Sequence, residues 1–273
     1  MRAFRLSLAP MLAALCGLAA AAPLTDQPYG PDAAQLADVH LPAPAAAPAP
    51  ILVVVHGGSW KGGDKATPDV VQNKLAYWLP RGFAVVSVNT RLLPAARPEQ
   101  QAEDLGRALA WIGRQAAGWN ADPDRVIVMG HSSGGHLATL LAADQAMRLR
   151  TGARPWLASV ILDGAGFDLL DVMTKPHAAF YDAAFGTDPG KWAAASPAAQ
   201  LRDPQPPTLF VCSTLRPDPC NRARRYAGML QAQGGVAELA GVARNHAQIN
   251  ADVGDDNEET RRISAFIDAR LAR

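Results

Sequence analysis

Cysteine is scarce in this 273-residue chain, with three in all, Cys16, Cys212 and Cys220. That excludes a cysteine-dense disulfide scaffold, and no Cys/His grouping has the spacing of a zinc module. Aromatic residues are only 6% of the chain and charged residues 19%, with 26 Lys+Arg set against 25 Asp+Glu. A formal net charge of +1 offers no basic surface of the kind that grips a phosphate backbone, so nucleic acid is not an expected partner. No phosphate-cradling loop, dinucleotide fingerprint, metal-ligand spacing or internal repeat is present, so no cofactor and no metal are expected. No stretch reaches the about 18 strictly apolar residues that a membrane span needs, so no stable membrane anchor is expected either.

What the chain does have is 49% hydrophobic content, enough for one large core, so residues 23–273 read as a single domain. Arg2 and Arg5 precede an apolar run from Leu6 to Ala22, broken only by Ser7, Pro10, Cys16 and Gly17 and ending in small residues. Residues 1–22 therefore read as a signal peptide, which implies export to the periplasm or the extracellular space. Cys212 and Cys220, eight positions apart, are then the only cysteines left. In an exported protein that pair is expected to form a disulfide, contributing roughly 2.5 kcal/mol on chain-entropy grounds.

The most informative stretch is Val126 to Leu141, VIVMGHSSGGHLATLL. Val126 to Met129 is a continuous apolar run, as in a strand covered on both faces. Leu137, Leu140 and Leu141 fall at helix spacing and give the next element one apolar stripe. Between them lies Gly130-His131-Ser132-Ser133-Gly134, the G-x-S-x-G of a nucleophile elbow. Glycines are needed two positions before and after the serine because the strand-to-helix reversal brings those backbones together. Ser132 is expected in a strained conformation that lifts its hydroxyl clear, and Ser133 N–H opens the helix where negative charge would develop.

A second motif follows the strand Ile51 to Val55: His56-Gly57-Gly58-Ser59-Trp60. Acyl transfer needs backbone N–H donors aimed at a developing oxyanion, and glycine lets the main chain approach that point. Gly58, Ser59 and Ser133 are thus candidate oxyanion donors. The other segments alternate. Strands are expected at Gln35–Leu41, Phe83–Val88, Trp156–Leu162, Thr208–Cys212 and Val236–Leu239. Helices are expected at Val70–Leu79, Glu99–Arg114, Asn221–Gln233 and Asp256–Leu271. This order argues for a mostly parallel central sheet flanked by helices, with right-handed crossovers. Residues 163–206, rich in Ala and Pro, read as a cap-like insertion after the sixth strand.

A serine hydroxyl needs an adjacent base, and the base an orienting carboxylate, in the chain order Ser, Asp or Glu, His. His177 and His246 are the only histidines beyond the elbow helix. His246, between the last strand and the final helix, is the expected base, and His177 a surface or pocket residue. Asp218 is the one carboxylate between the strand Thr208–Cys212 and the helix expected at Asn221, and is the expected acid, with Asp203 in reserve. Trp60, Leu92, His131, Phe167, Phe185 and Trp192 are candidate pocket walls.

With these motifs the chain resembles the α/β-hydrolase superfamily, and within it the HGGxW esterase branch, which includes hormone-sensitive-lipase-like carboxylesterases, feruloyl and acetyl-xylan esterases and kynurenine formamidases. The resemblance rests on His56–Trp60 and Gly130–Gly135, with weaker support from Val88–Leu92, Gly166–Leu169, Phe185-Gly186, Ser196-Pro197 and His246. It implies an α/β-hydrolase fold with Ser132 as nucleophile, His246 as base, Asp218 as acid and Gly58, Ser59 and Ser133 as oxyanion donors. The chain departs from the family where a Gly shortly followed by Asp is usual after the seventh strand, since here the run is Cys212-Ser213-Thr214-Leu215-Arg216-Pro217-Asp218. The implied activity is a secreted serine hydrolase cleaving small-molecule or saccharide-linked carboxylic esters through an acyl-enzyme. An arylformamidase or amidase, or a catalytically silent binding protein on the same fold, are the alternatives.

Overall fold

Residues 22–272 are described by the computed structural model. The leader, Ala22 apart, lies outside the described residues. The strands with the most continuous apolar sequence are those covered on both faces. β1 (Leu24–Pro28) and β2 (Leu36–His40) form an antiparallel pair, and β2 runs antiparallel to β4 (Ala84–Val88). β3 (Ala49–Val55), β4, β5 (Ala121–His131), β6 (Ala158–Leu162), β7 (Thr208–Ser213) and β8 (Ala237–Val242) are mutually parallel. The spatial order is β1-β2-β4-β3-β5-β6-β7-β8.

Alternate residues of each inner strand serve opposite cores. Leu52, Val54, Ile127, Met129, Val160 and Val211 pack with α1 (Pro68–Trp78) through Val70, Val71 and Trp78. Ile51, Val53, Val55, Val128, Ile161 and Phe210 face the other way, onto α2 (Pro98–Gln115), through Leu105, Leu109 and Ile112, and α3 (Ser133–Ala143), through Leu137, Leu140 and Leu141. Burying each such side chain fully contributes roughly 1.5–3 kcal/mol. α4 (Gln145–Thr151) then leads into β6. Residues 163–206 fold into four short helices, α5 (Leu169–Met173), α6 (Ala179–Phe185), α7 (Pro189–Ala195) and α8 (Pro197–Gln200). α9 (Pro217–Ala232) follows β7 on the α2/α3 face, α10 (Gln248–Ala251) follows β8, and α11 (Glu258–Leu271) closes the α1 face through Ile263, Phe266 and Ile267.

Two differences from the sequence expectation matter. β1 carries a polar, mostly exposed sequence and exists because it pairs with β2, so no periodicity announces it. α9 starts at Pro217 rather than Asn221, because proline's fixed φ suits the first helical position and Asp218 in the first turn complements the helix dipole.

α3 meets β3 at their closest point through Gly134, where a Cβ would stand 2.4 Å from the carbonyl oxygens of both Val55 and His56. Neither carbonyl can move without disturbing the sheet edge. Gly134→Ala is expected to lower the free energy of unfolding by at least about 2 kcal/mol, and a denaturant midpoint unchanged from the parent would contradict this packing.

Candidate active site

The turn from β5 to α3 carries Ser132 at φ 52° and ψ −118°, the sparsely populated region expected of a strained elbow. Its N–H donates to the Leu162 carbonyl at 3.0 Å, tying the elbow to the end of β6. The turn after β3 lies against it. A Cβ at Gly57 would come within 3.0 Å of the Ser132 Cβ and 2.9 Å of His131 Nδ1, so only glycine lets this main chain sit beside the serine. Gly58 and Ser59 continue at φ 133° and 53°, curling the chain around the elbow, while Ser133 begins α3.

His246 is brought to the same edge by the loop after β8. His131 Nε2–H donates to the His246 carbonyl at 2.9 Å, and the two imidazoles lie 4.6 Å apart. Burial first, and then the neighbouring His246, pull His131 down to about 3, so it is a neutral strut. His246 Nδ1–H in turn donates to Asp163 Oδ2 at 2.6 Å. The Ser132 hydroxyl makes no hydrogen bond to His246 in this structure. Such contacts in a free site often tighten only around substrate.

The carboxylate against His246 is therefore Asp163, and the expectation for Asp218 is corrected on this point. Asp163 follows β6 directly, its side chain is 1% exposed, and it also accepts from Ser213 N–H at 3.1 Å and Arg216 Nη2 at 2.5 Å. Burial would raise its pKa, but the hydrogen bonds from His246 and Ser213 and the charges of His246 and Arg216 outweigh it and hold the group below its ordinary value. Asp218 sits exposed in the first turn of α9, where the early helix start carries it, and has no hydrogen bond or ion pair with His246 among the described residues. Asp163 satisfies the same chain order. The available signal was its place at the C-terminal end of a buried parallel strand, where sites of open α/β sheets gather.

Trp60 and His136 fasten the turn after β3 to the cap. Trp60 Nε1–H donates to His136 Nδ1 at 3.1 Å, and His136 Nε2–H donates to the Ala195 carbonyl at 2.8 Å. The Trp60 carbonyl accepts from Gln101 Nε2 at 2.8 Å and Leu93 N–H at 3.0 Å. Phe185 and Tyr181 of the cap pack on the indole with ring centroids at 4.8 and 5.7 Å. Trp60, Phe167 and Phe185, candidate pocket walls in the sequence, are almost wholly buried, and Phe167 and Phe185 each line a cavity beside the insertion. Sequence reasoning missed His136 because its helix face looks like any other.

The loop bearing His246 has its own footing. Ser213 Oγ–H donates to the Arg244 carbonyl at 2.6 Å, and the buried Lys74 ammonium donates to the Asn250 carbonyl at 2.7 Å. Burial pulls Lys74 down to about 7 and pushes Glu259 up to about 7. Glu259 Oε2 is 3.2 Å from Arg244 Nε, close enough for attraction but not aligned as a hydrogen bond. Cys212 and Cys220 flank the Asp163-binding segment with Cα atoms 5.1 Å apart. Among the described residues no group of three or more His, Cys, Asp or Glu could hold a metal ion, and no helix is long and apolar enough to cross a membrane.

Burial lowers His136 to about 4, with the Ala195 hydrogen bond opposing only in part. A depressed histidine leaves the unfolded chain binding more protons between its ordinary value near 6.5 and the folded value, so stability is complete above about pH 6.5 and falls toward pH 4. The expected loss from this group is about 3 kcal/mol, with His131 acting in the same direction. Denaturant titrations across that range on the parent and His136→Gln should show a shallower fall in the variant, and equal slopes would rule the effect out.

Comparison with known proteins gives this geometry relatives. The isoprenylcysteine alpha-carbonyl methylesterase ICME of Arabidopsis thaliana is 26% identical over 232 residues, covering 77% of this chain and 53% of that protein. Esterase LipC of Mycobacterium tuberculosis is 29% identical over 237 residues, covering 78% and 57%. The chain spans about half the length of these curated relatives. Among solved structures, esterase B from Lactobacillus rhamnosis superposes with a TM-score of 0.71 at 20% identity, covering 91% of this chain and 85% of that one. A truncated carbohydrate esterase from gut microbiota gives 0.72 at 18% identity, covering 94% and 99%. At such identities the likeness speaks for the α/β-hydrolase fold. The model of the BD-FAE family matches residues 37–215, from β2 to just past β7, and the chain belongs to that family.

Proposed function

We propose that the protein is a serine esterase, cleaving carboxylic esters through an acyl-enzyme on Ser132. The observation that carries this reading is the 2.6 Å hydrogen bond from His246 to the buried Asp163, at the edge where Ser132 is held strained. In this scheme His246 Nε2 takes the Ser132 proton as the hydroxyl oxygen attacks the ester carbonyl. Asp163 holds the ring so that Nδ1–H faces the carboxylate, and stabilises the imidazolium. The backbone N–H groups of Gly58, Ser59 and Ser133 receive the developing oxyanion. The imidazolium returns its proton to the departing alcohol, and water then repeats the sequence to release the acid.

Family membership and relatives named as esterases support the reaction class. The proposed substrate is a small-molecule or saccharide-linked ester, a choice supported by the likeness to a structure named as a carbohydrate esterase. We further propose export after removal of residues 1–22, with Cys212 and Cys220 joined as a disulfide in the oxidising compartment. That bridge would brace the segment presenting Ser213 and Arg216 to Asp163.

Ser132→Ala should abolish both turnover of 4-nitrophenyl butyrate and labelling by a fluorophosphonate while the protein stays folded. Asp163→Asn should lower kcat by roughly 10³–10⁴, whereas Asp218→Asn should stay within about threefold of the parent. The reverse pattern, with Asp218→Asn inactive and Asp163→Asn active, would overturn the assignment of the acid.

A further inference from the structure

Between the cap and the start of α9 lies a cavity of about 680 Å³ that the triad does not use. Its walls reach the site from two sides. Arg216, on one wall, donates to the same Asp163 oxygen that His246 does. Phe180 and Tyr181, on the other, lie 6.2 and 5.7 Å from Trp60, the residue that ends the turn beside Ser132. The cavity is thus one residue removed from both the carboxylate that holds His246 and the turn beside Ser132.

Its lining is cationic. Lys175, Arg216, Arg222 and Arg225 face two lining carboxylates, Asp171 and Asp218. Asp171 is already taken by Lys175 and by Arg225 at 3.4 Å. Asp163, behind Arg216, does not reverse the balance. His177, also in the lining, has its pKa raised by the hydrogen bond to Asp182, whose carboxylate offsets any charge it gains. Arg222 stands apart. Among the described residues its guanidinium has neither an ion pair nor a hydrogen bond, and its Nε is buried without a partner. A guanidinium presents several N–H donors in one plane, and leaving one of them buried and unmade is unfavourable. A planar anion entering the cavity could accept two parallel hydrogen bonds from the terminal Nη groups of this otherwise unpaired guanidinium.

We infer that this cavity is a subsite for a carboxylate carried by the ester substrate, with Arg222 as its anchor; the inference rests on the esterase reading above. Arg222 is a specificity residue here and takes no part in bond making. Neutral esters are turned over without it, and esters bearing a carboxylate on the acid or on the alcohol side are bound more tightly because of it.

The test compares matched pairs: 4-nitrophenyl hydrogen succinate against 4-nitrophenyl pentanoate, and the butyryl ester of 4-hydroxybenzoate against that of 4-hydroxybenzamide. For at least one pair, Arg222→Gln should cut kcat/KM for the anionic member about tenfold or more, chiefly through KM, while the neutral member changes less than about threefold. Arg222→Lys should recover part of the loss. Raising NaCl from about 50 mM to about 1 M should weaken only the anionic substrate. Unchanged discrimination in both pairs on Arg222→Gln would overturn the subsite. Failure of the esterase reading looks different, since neutral esters would then be hydrolysed equally by the parent and Ser132→Ala.

Discussion

The arrangement depends on one buried carboxylate. Asp163 has been taken almost entirely out of water, a position that would be costly for a lone charge, and it is tolerated because three donors converge on it. Those donors come from three places along the chain: His246 after β8, the Ser213 N–H at the end of β7 and Arg216 just before α9. Satisfying Asp163 thus draws the ends of three neighbouring parallel strands into one constellation. The hydrogen bond to His246 is one bond of that set, so the ring that would serve Ser132 is aimed by the same contacts that make the carboxylate's burial bearable.

A second column of contacts does for the HGGSW turn what Asp163 does for the histidine. The turn after β3 can lie against Ser132 only because Gly57 has no side chain, and it is kept there by Trp60. Its carbonyl is held by Gln101 and Leu93, and its indole by the neutral His136 and the cap aromatics Tyr181 and Phe185. His136 also reaches the Ala195 carbonyl, so the cap is joined to the elbow helix through a buried polar link. The seating of this turn and that of the cap thus come from the same few residues, while the arginines lie on the other side of the cap, between α6 and α9.

Much of the framework was legible because both cores impose strong local patterns. The strands Ile51–Val55, Phe83–Val88, Trp156–Leu162 and Thr208–Cys212 are apolar at nearly every position, as strands sandwiched between helix layers must be. The elbow and the HGGSW turn announce themselves through glycines that close backbone contact requires. β1 was not legible, since an exposed edge strand needs only a pairing partner and carries no apolar period. The helices within 163–206 are too short and Ala-rich to show one. Asp218 was misplaced because Pro217 reads as a turn residue in the chain yet nucleates α9 in the fold.

Sequence alone determined the order of the inner strands and the longer helices, the identity of Ser132 as the elbow serine and His246 as the only histidine on a suitable loop, because these follow from residue types over short windows. Tertiary structure decided which carboxylate meets that histidine. Asp163 and Asp218 both lie between Ser132 and His246 in the chain, and although Asp163 directly follows an apolar strand, residue pattern alone does not say which of them reaches the imidazole. Only the parallel register of β6 and β7 carries the end of β6 under the imidazole while the early start of α9 turns Asp218 out to solvent, and that choice belongs to contacts between residues 83 positions apart.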